Sequence, residues 1–260
     1  RIATNGASSS YHALQAQFRR RFARILQMQV SYTWAHSIDS ASSDMGMGGF
    51  ATLFGSGERG SSDYDVRHSL NASGSWLLPA PRASWMNAVL RNWWSDFLFV
   101  ARTGTPFDIV GVSSASSNSG SGGFGGGLFA QVRPDYNGKP VWIDDSSVPG
   151  GRRLNRAAFD SPSGYAQGNL GRNALRGFGM SQLDLSLRRQ LSLGEHRALH
   201  LAVQAFNLLN TPAFANPSRN EGASMTSANF GVASRMQTGG GSLFQTGGPR
   251  SLQLALRFQF

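Results

Sequence analysis

A chain of 260 residues is long enough for one large domain or two small ones, and with no cysteine it holds neither a disulfide framework nor a thiolate metal site. No run of about 18 apolar residues occurs, which excludes a transmembrane helix. The formal charge of +10 comes almost wholly from arginine, Lys139 being the only lysine, and no basic helix, zinc finger or aromatic RNA-binding signature accompanies it, so nucleic acid is not an expected partner.

The first residues, Arg1-Ile-Ala-Thr-Asn-Gly, carry neither an initiator methionine nor a signal-peptide pattern and are expected to belong to a longer precursor. From Tyr11 to Arg19 the chain alternates, with His12, Leu14, Ala16 and Phe18 on one side and Gln15, Gln17 and Arg19 on the other. A basic connection at 20–23 is expected to lead into a second strand, with Leu26, Met28, Val30, Tyr32 and Trp34 opposite Gln27, Gln29, Ser31 and Thr33. Residues 35–64 are rich in Ser, Gly and Asp and read as a loop. A third strand then places His68, Leu70, Ala72, Trp76 and Leu78 opposite Ser69, Asn71, Ser73 and Ser75, and Pro79 and Pro81 stop it. Trp85-Met86 and Val89-Leu90 suggest a short amphipathic turn of helix before a fourth strand, near Trp93 to Arg102, whose alternation is blurred by Phe97, Leu98, Phe99 and Val100.

Residues 111–180 lack a period; Ser113 to Gly127 is low-complexity, Val141-Trp142-Ile143 suggests a short strand, and 150–179 is expected to order only against what it packs on. Alternation returns with Leu183, Leu185 and Leu187 against Asp184, Ser186 and Arg188. A turn at Gly194-Glu195-His196-Arg197 joins them to Leu199, Leu201, Val203 and Ala205, which oppose His200, Ala202, Gln204 and Phe206. After a polar loop at 210–248 the last strand sets Leu252, Leu254, Leu256, Phe258 and Phe260 against Ser251, Gln253, Ala255, Arg257 and Gln259.

Short and long connections alternate along this order, which matches a barrel with tight turns at one rim and long loops at the other. Faces built of Gln, Ser, Asn and Arg do not suit a dry core, where each unpartnered polar group costs about 1–3 kcal/mol, but they suit a hydrated lumen. The expected fold is therefore all-β: the C-terminal part of an antiparallel transmembrane β-barrel, with about six or more strands. Leu26, Met28, Val30, Leu183, Leu185, Leu187, Leu199, Leu201, Val203, Leu252, Leu254, Leu256 and Phe258 would face lipid, while Gln27, Gln29, Asp184, Arg188, Gln204 and Arg257 would line the lumen. A compact six-stranded soluble barrel, or a soluble basic β-protein binding polyanions, is the alternative.

Several stretches carry a family resemblance: Ser62-Asp63-Tyr64-Asp65-Val66-Arg67-His68, Arg102-Thr103-Gly104-Thr105-Pro106-Phe107, Gly168-Asn169-Leu170-Gly171-Arg172-Asn173-Ala174-Leu175-Arg176-Gly177, Ala205-Phe206-Asn207-Leu208-Leu209-Asn210 and Gly248-Pro249-Arg250-Ser251-Leu252-Gln253. In series they resemble the C-terminal barrel of large TonB-dependent outer-membrane transporters of the Oar type, which also carry a carboxypeptidase-regulatory-like domain and a plug. The resemblance implies a barrel of about 22 strands, energy supplied through the TonB complex, contact with outer-membrane lipid and lipopolysaccharide, and an unidentified transported ligand. It also implies that Phe260 resembles the signal read by the barrel assembly machinery. A passive outer-membrane channel or structural barrel is the competing function.

No catalytic, cofactor or metal site is expected. His196 and His200 sit on a turn and a strand rather than one helical face, and His12, His36 and His68 read as structural. No nucleophile elbow accompanies the serines, and Gly120 to Gly127 lacks the Lys-Ser/Thr of a phosphate loop. Asp39, Asp44, Asp63 and Asp65 are mainly solvated in this reading, with calcium as the other possibility. Arg152, Arg153, Arg156, Arg172 and Arg176 are expected to pair with carboxylates on a missing wall or plug, the alternative being lipopolysaccharide or an anionic substrate.

Overall fold

Seven strands run up and down, each beside its neighbour in sequence. In the computed structural model they are β1 (Ser9–Phe22), β2 (Leu26–Asp39), β3 (His68–Leu77), β4 (Trp93–Arg102), β5 (Met180–Ser192), β6 (Ala198–Phe206) and β7 (Ser251–Gln259). The structure describes residues 7–23, 25–40, 42, 59–79, 87, 91–111, 132–162, 168–194, 197–217, 221–237 and 247–260. The fragment Gly60–Ser61 adds to the loop end of β2. β1 and β7 are the two edges and do not pair with each other, so the sheet is an open wall.

Two strands run past the limits expected of them. β1 continues through the arginines to Phe22, since Arg19, Arg20 and Arg21 pair with Gln29, Met28 and Gln27; the expected basic connection at 20–23 is strand as far as Phe22. β2 extends to Asp39, because the polar residues after Trp34 still find partners in Ser9 to Ala13. The fourth strand, by contrast, is found as expected at Trp93–Arg102 despite its blurred alternation. Trp85, Met86, Val89 and Leu90 fall outside the described residues, although Arg91 donates its amide to the Asn87 carbonyl at 3.0 Å as in a helical turn.

Connections at 23–25, 78–92 and 193–197 fall at one end of the wall, here the turn end; those at 40–67, 103–179 and 207–250 fall at the other, the loop end. The apolar core lies among those long connections rather than behind the wall. Phe107, Ile109, Leu154, Ala158, Phe159, Leu170, Leu175, Ala223, Met225 and Phe230 form one buried cluster, with Val141 and Trp142 packed against it. Short pairings tie it together: Pro106–Phe107 with Leu175–Arg176, Asp135–Tyr136 with Phe159–Asp160, and Trp142–Asp144 with Arg152–Leu154. A 3-10 turn at Arg156–Ala158 is capped by Asn155, whose side chain accepts from the Ala157 amide at 3.1 Å. The short strand expected near Val141-Trp142-Ile143 is found at Trp142–Asp144, and the described residues of 150–179 order against a packed cluster as expected; what the missing period hid is that 132–162, 168–179 and 221–237 supply a core of their own. Ser113 to Gly127 lie outside the described residues.

Candidate functional site

The strand register sorts the wall's side chains into two faces. One row crosses all seven strands without an apolar residue: Arg21, Gln27, Ser75, Asp96, Ser186, Gln204 and Gln253. The adjoining row on the same face carries Arg19, Gln29, Ser73, Leu98 and Asp184. Toward the turn end come Arg188 and then Arg257. Gln27, Gln29, Asp184, Arg188, Gln204 and Arg257 therefore share one face of the sheet. Leu26, Met28, Val30, Leu183, Leu185, Leu187, Leu199, Leu201, Val203, Leu252, Leu254, Leu256 and Phe258 share the other.

Among the described residues no second layer of protein covers the apolar face: Leu252, Leu254 and Leu256 on the edge strand are 71%, 80% and 71% exposed, and none of the thirteen is buried. Aromatic residues flank it, with Tyr32 and Trp34 toward the loop end and Phe22, Trp76, Trp93 and Phe258 toward the turn end.

The polar face makes its own bonds. Arg188 pairs with Asp96 at 2.7 Å and lies over the Trp94 ring, while Ser75 donates to Asp96 at 2.6 Å. Arg19 donates to Gln29 through Nε and Nη2 at 3.2 and 2.9 Å. Open hollows of about 600 and 570 Å³ adjoin on this face, bordered by Arg19, Arg21, Gln29, Ser75, Asp96 and Arg188. Asp96 was hidden in the sequence by the apolar run after it; its register with Ser75 and Ser186 is what places it among polar groups.

At the loop end three of the quoted stretches, those around Asp65, Gly104 and Arg172, meet in a buried ionic clasp. Arg172 pairs with Asp39 at 2.6 Å and donates to Ser42 at 2.6 Å, reaching Asp63 at 3.7 Å. Asn173 donates its side-chain amide to the Ser61 carbonyl and to Asp63, both at 2.7 Å, and its backbone amide to Asp108 at 2.6 Å. Arg176 pairs with Asp65 and also donates to the carbonyls of Asp65 and Gly104 at 3.0 and 3.2 Å. Asp65 is 1% exposed and also holds Arg67 at 3.0 Å, and Arg67 in turn contacts His36 Nε2 at 2.7 Å. Burial works against the Asp65 charge. The Ser37 amide and the Arg176 guanidinium, with the charges of Arg176 and Arg67, outweigh it and hold the carboxyl below its ordinary value.

Two glycines let the segments close. A side chain on Gly60 would strike the Arg172 carbonyl, and one on Gly104 the Gly177 carbonyl. A second joint lies at Asn207, which adopts φ 47° and is fully buried. Its amide donates to Asp184 at 2.8 Å and its side chain to the carbonyls of Thr211 and Gly248 at 3.1 and 2.6 Å, pinning both ends of the last long connection.

The arginines are thus placed differently from expectation. Arg172 and Arg176 find carboxylates within this chain, on elements far off in sequence. Arg153 pairs with Asp145 at 3.2 Å, Arg152 stacks between Trp142 and Phe178 at 4.5 and 4.8 Å, and Arg156 donates to the Phe159 carbonyl at 2.6 Å. Asp39 and Asp65 are buried and engaged by these cations rather than solvated, Asp63 stays exposed as expected while accepting from Asn173, and no group of three or more potential metal ligands occurs among the described residues. His68 stacks on Tyr32 and bonds its hydroxyl at 2.7 Å. His196 and Asp44 lie outside the described residues.

No curated protein and no solved structure matches the chain. A family model does: the one described as Outer membrane beta barrel domain matches residues 1–253. With its antiparallel wall, uncovered apolar face and long loops at one end, the chain belongs to the outer membrane beta barrel domain family, and its place is the outer membrane.

Proposed function

We propose that the chain forms wall and external loops of a TonB-dependent transporter, the cylinder being completed by further strands. The apolar face meets hydrocarbon. Its stripe on β2 from Leu26 to Trp34 spans about 27 Å at roughly 3.4 Å per residue, or about 21 Å at a tilt of about 40°, near the roughly 25 Å apolar band of outer-membrane barrels. The polar face meets water or protein inside the cylinder, with Gln27, Gln29, Asp184, Arg188, Gln204 and Arg257 on it.

The observation that carries this reading is the uninterrupted polar row from Arg21 to Gln253. A small barrel fills its interior with side chains, whereas a surface this polar suits a wide lumen holding water or a plug. Unpaired strand edges in hydrocarbon cost several kcal/mol per group, so β1 and β7 need partners that complete a larger ring. The family resemblance supplies the energy coupling, with the TonB complex, the assembly machinery acting at Phe260, and lipopolysaccharide as partners. The protein does no chemistry of its own in this reading; it moves a large solute.

Planar-bilayer recording of the full-length protein tests it. A plugged transporter holds the membrane nearly silent and binds the periplasmic domain of TonB. Steady open conductance without TonB binding would replace this reading by the passive channel.

A further inference from the structure

The polar face is unevenly charged. Below the clasp it carries Arg19, Arg21, Arg102, Arg188 and Arg257 against only Asp96 and Asp184. Both acids are occupied: Asp96 by Arg188 and Ser75, and Asp184 by the Asn207 amide and the Gln182 side chain. Arg19 and Arg102 are held by neutral partners, Gln29 and Gln237. Among the described residues Arg21 and Arg257 make no ion pair.

We propose that this face binds a small solute bearing two or more carboxylate or phosphate groups, with Arg19 and Arg21 as its principal contacts. The proposal rests on reading the polar face as the lumen. Guanidinium forks match carboxylate and phosphate oxygens, and cations lining a concave wall attract anions into it. Arg19 is already held in place by both of its bonds to Gln29, so little freedom is lost when it engages an anion. The adjoining hollow of about 600 Å³ is bordered by Arg19 and Arg21, and sites for small molecules typically measure about 300–1,000 Å³. An acidic protein segment folded inside the cylinder is the competing occupant. The hollow favours the solute, because Ser73 and Ser75 border it with short side chains and leave it open.

Calorimetric titration of the full-length protein in detergent with citrate tests this, with sucrose and spermidine as neutral and cationic controls. Citrate binds at low salt, spermidine and sucrose do not, and the affinity falls steeply as salt is raised. Replacing Arg19→Gln and Arg21→Gln together weakens citrate roughly tenfold. The same loss of charge at Arg153→Gln and Arg197→Gln, on a loop and a turn, leaves it unchanged. Absence of citrate binding, or equal weakening by both pairs, would overturn the proposal. If Arg21→Cys, labelled with a photoactivatable maleimide, crosslinked on illumination to an acidic segment of the same polypeptide, that segment would be the occupant and the proposal would fall. An open, uncoupled conductance would remove the transport reading and leave citrate binding untouched, so the two failures are separable.

Discussion

The wall and the loop assembly are held together by different physics. Below the clasp, among the described residues, no second layer packs on either face of the wall; its strands are joined by ladder bonds, and its apolar side chains stay uncovered. In the loop assembly Ile109, Ala158, Phe159 and Ala223 are fully buried, and charged groups are paired out of water. A protein that sits in lipid does not need a core where hydrocarbon already surrounds it, but segments standing in water do. Substitutions therefore have opposite rules in the two regions.

The largest effects belong to the loop assembly. Arg172→Ala leaves Asp39 buried without its cation, a loss of about 3–5 kcal/mol. Phe159→Ala opens a cavity costing a similar amount, about 3–5 kcal/mol. Both act locally: hydrogen exchange rises at 59–67 and 168–176 for Arg172→Ala, and at 132–162 for Phe159→Ala, while β1–β7 keep their protection. Uniform loss of protection would show that wall and loops are a single cooperative unit.

In the wall, Leu185→Arg costs about 2–4 kcal/mol of folding into vesicles, since the proposed arrangement puts the new charge in hydrocarbon. Its neighbour Ser186→Arg, on the opposite face, is nearly neutral. Equal costs at the two positions would remove the distinction between faces.

Acid sharpens the contrast more gently. Asp65 has its pKa lowered in the folded chain, so the stability it contributes is present above the ordinary value of 3.8 and is lost as pH falls through the depressed value. Exchange at Ser62 to Arg67 stays slow down to about that ordinary value and rises only below it. Opening already near about pH 5 would place the control of the clasp elsewhere.

The wall was largely legible in the sequence because a single layer declares itself one residue at a time. Leu183, Asp184, Leu185, Ser186, Leu187 and Arg188 name both faces without any distant contact. Reading failed where two environments overlap. Arg20 shares a row with Met28 on the apolar face, which broke the period and hid the end of β1. Beyond Trp34 the chain rises past the apolar stripe, so β2 continues in residues with no reason to alternate. The loop assembly was illegible for another reason. Its decisive contacts join Asp108 to Asn173, Val110 to Ser224 and Asp39 to Arg172, separations at which no local pattern survives. The motifs themselves were visible, but their role as joints, shown by Asn207 and Gly104, appears only when their partners are seen.

No cysteine occurs in these 260 residues, so labels introduced here report on this wall alone once any cysteine elsewhere in the full-length protein is replaced. Single cysteines from position 183 to 188, spin-labelled in the full-length protein in vesicles, should alternate with a period of two. Positions 183, 185 and 187 should be relaxed by dissolved oxygen, and 184, 186 and 188 by a water-soluble nickel chelate. Uniform accessibility along the strand, or protection of the leucine positions from both agents, would contradict the assignment of that face to lipid.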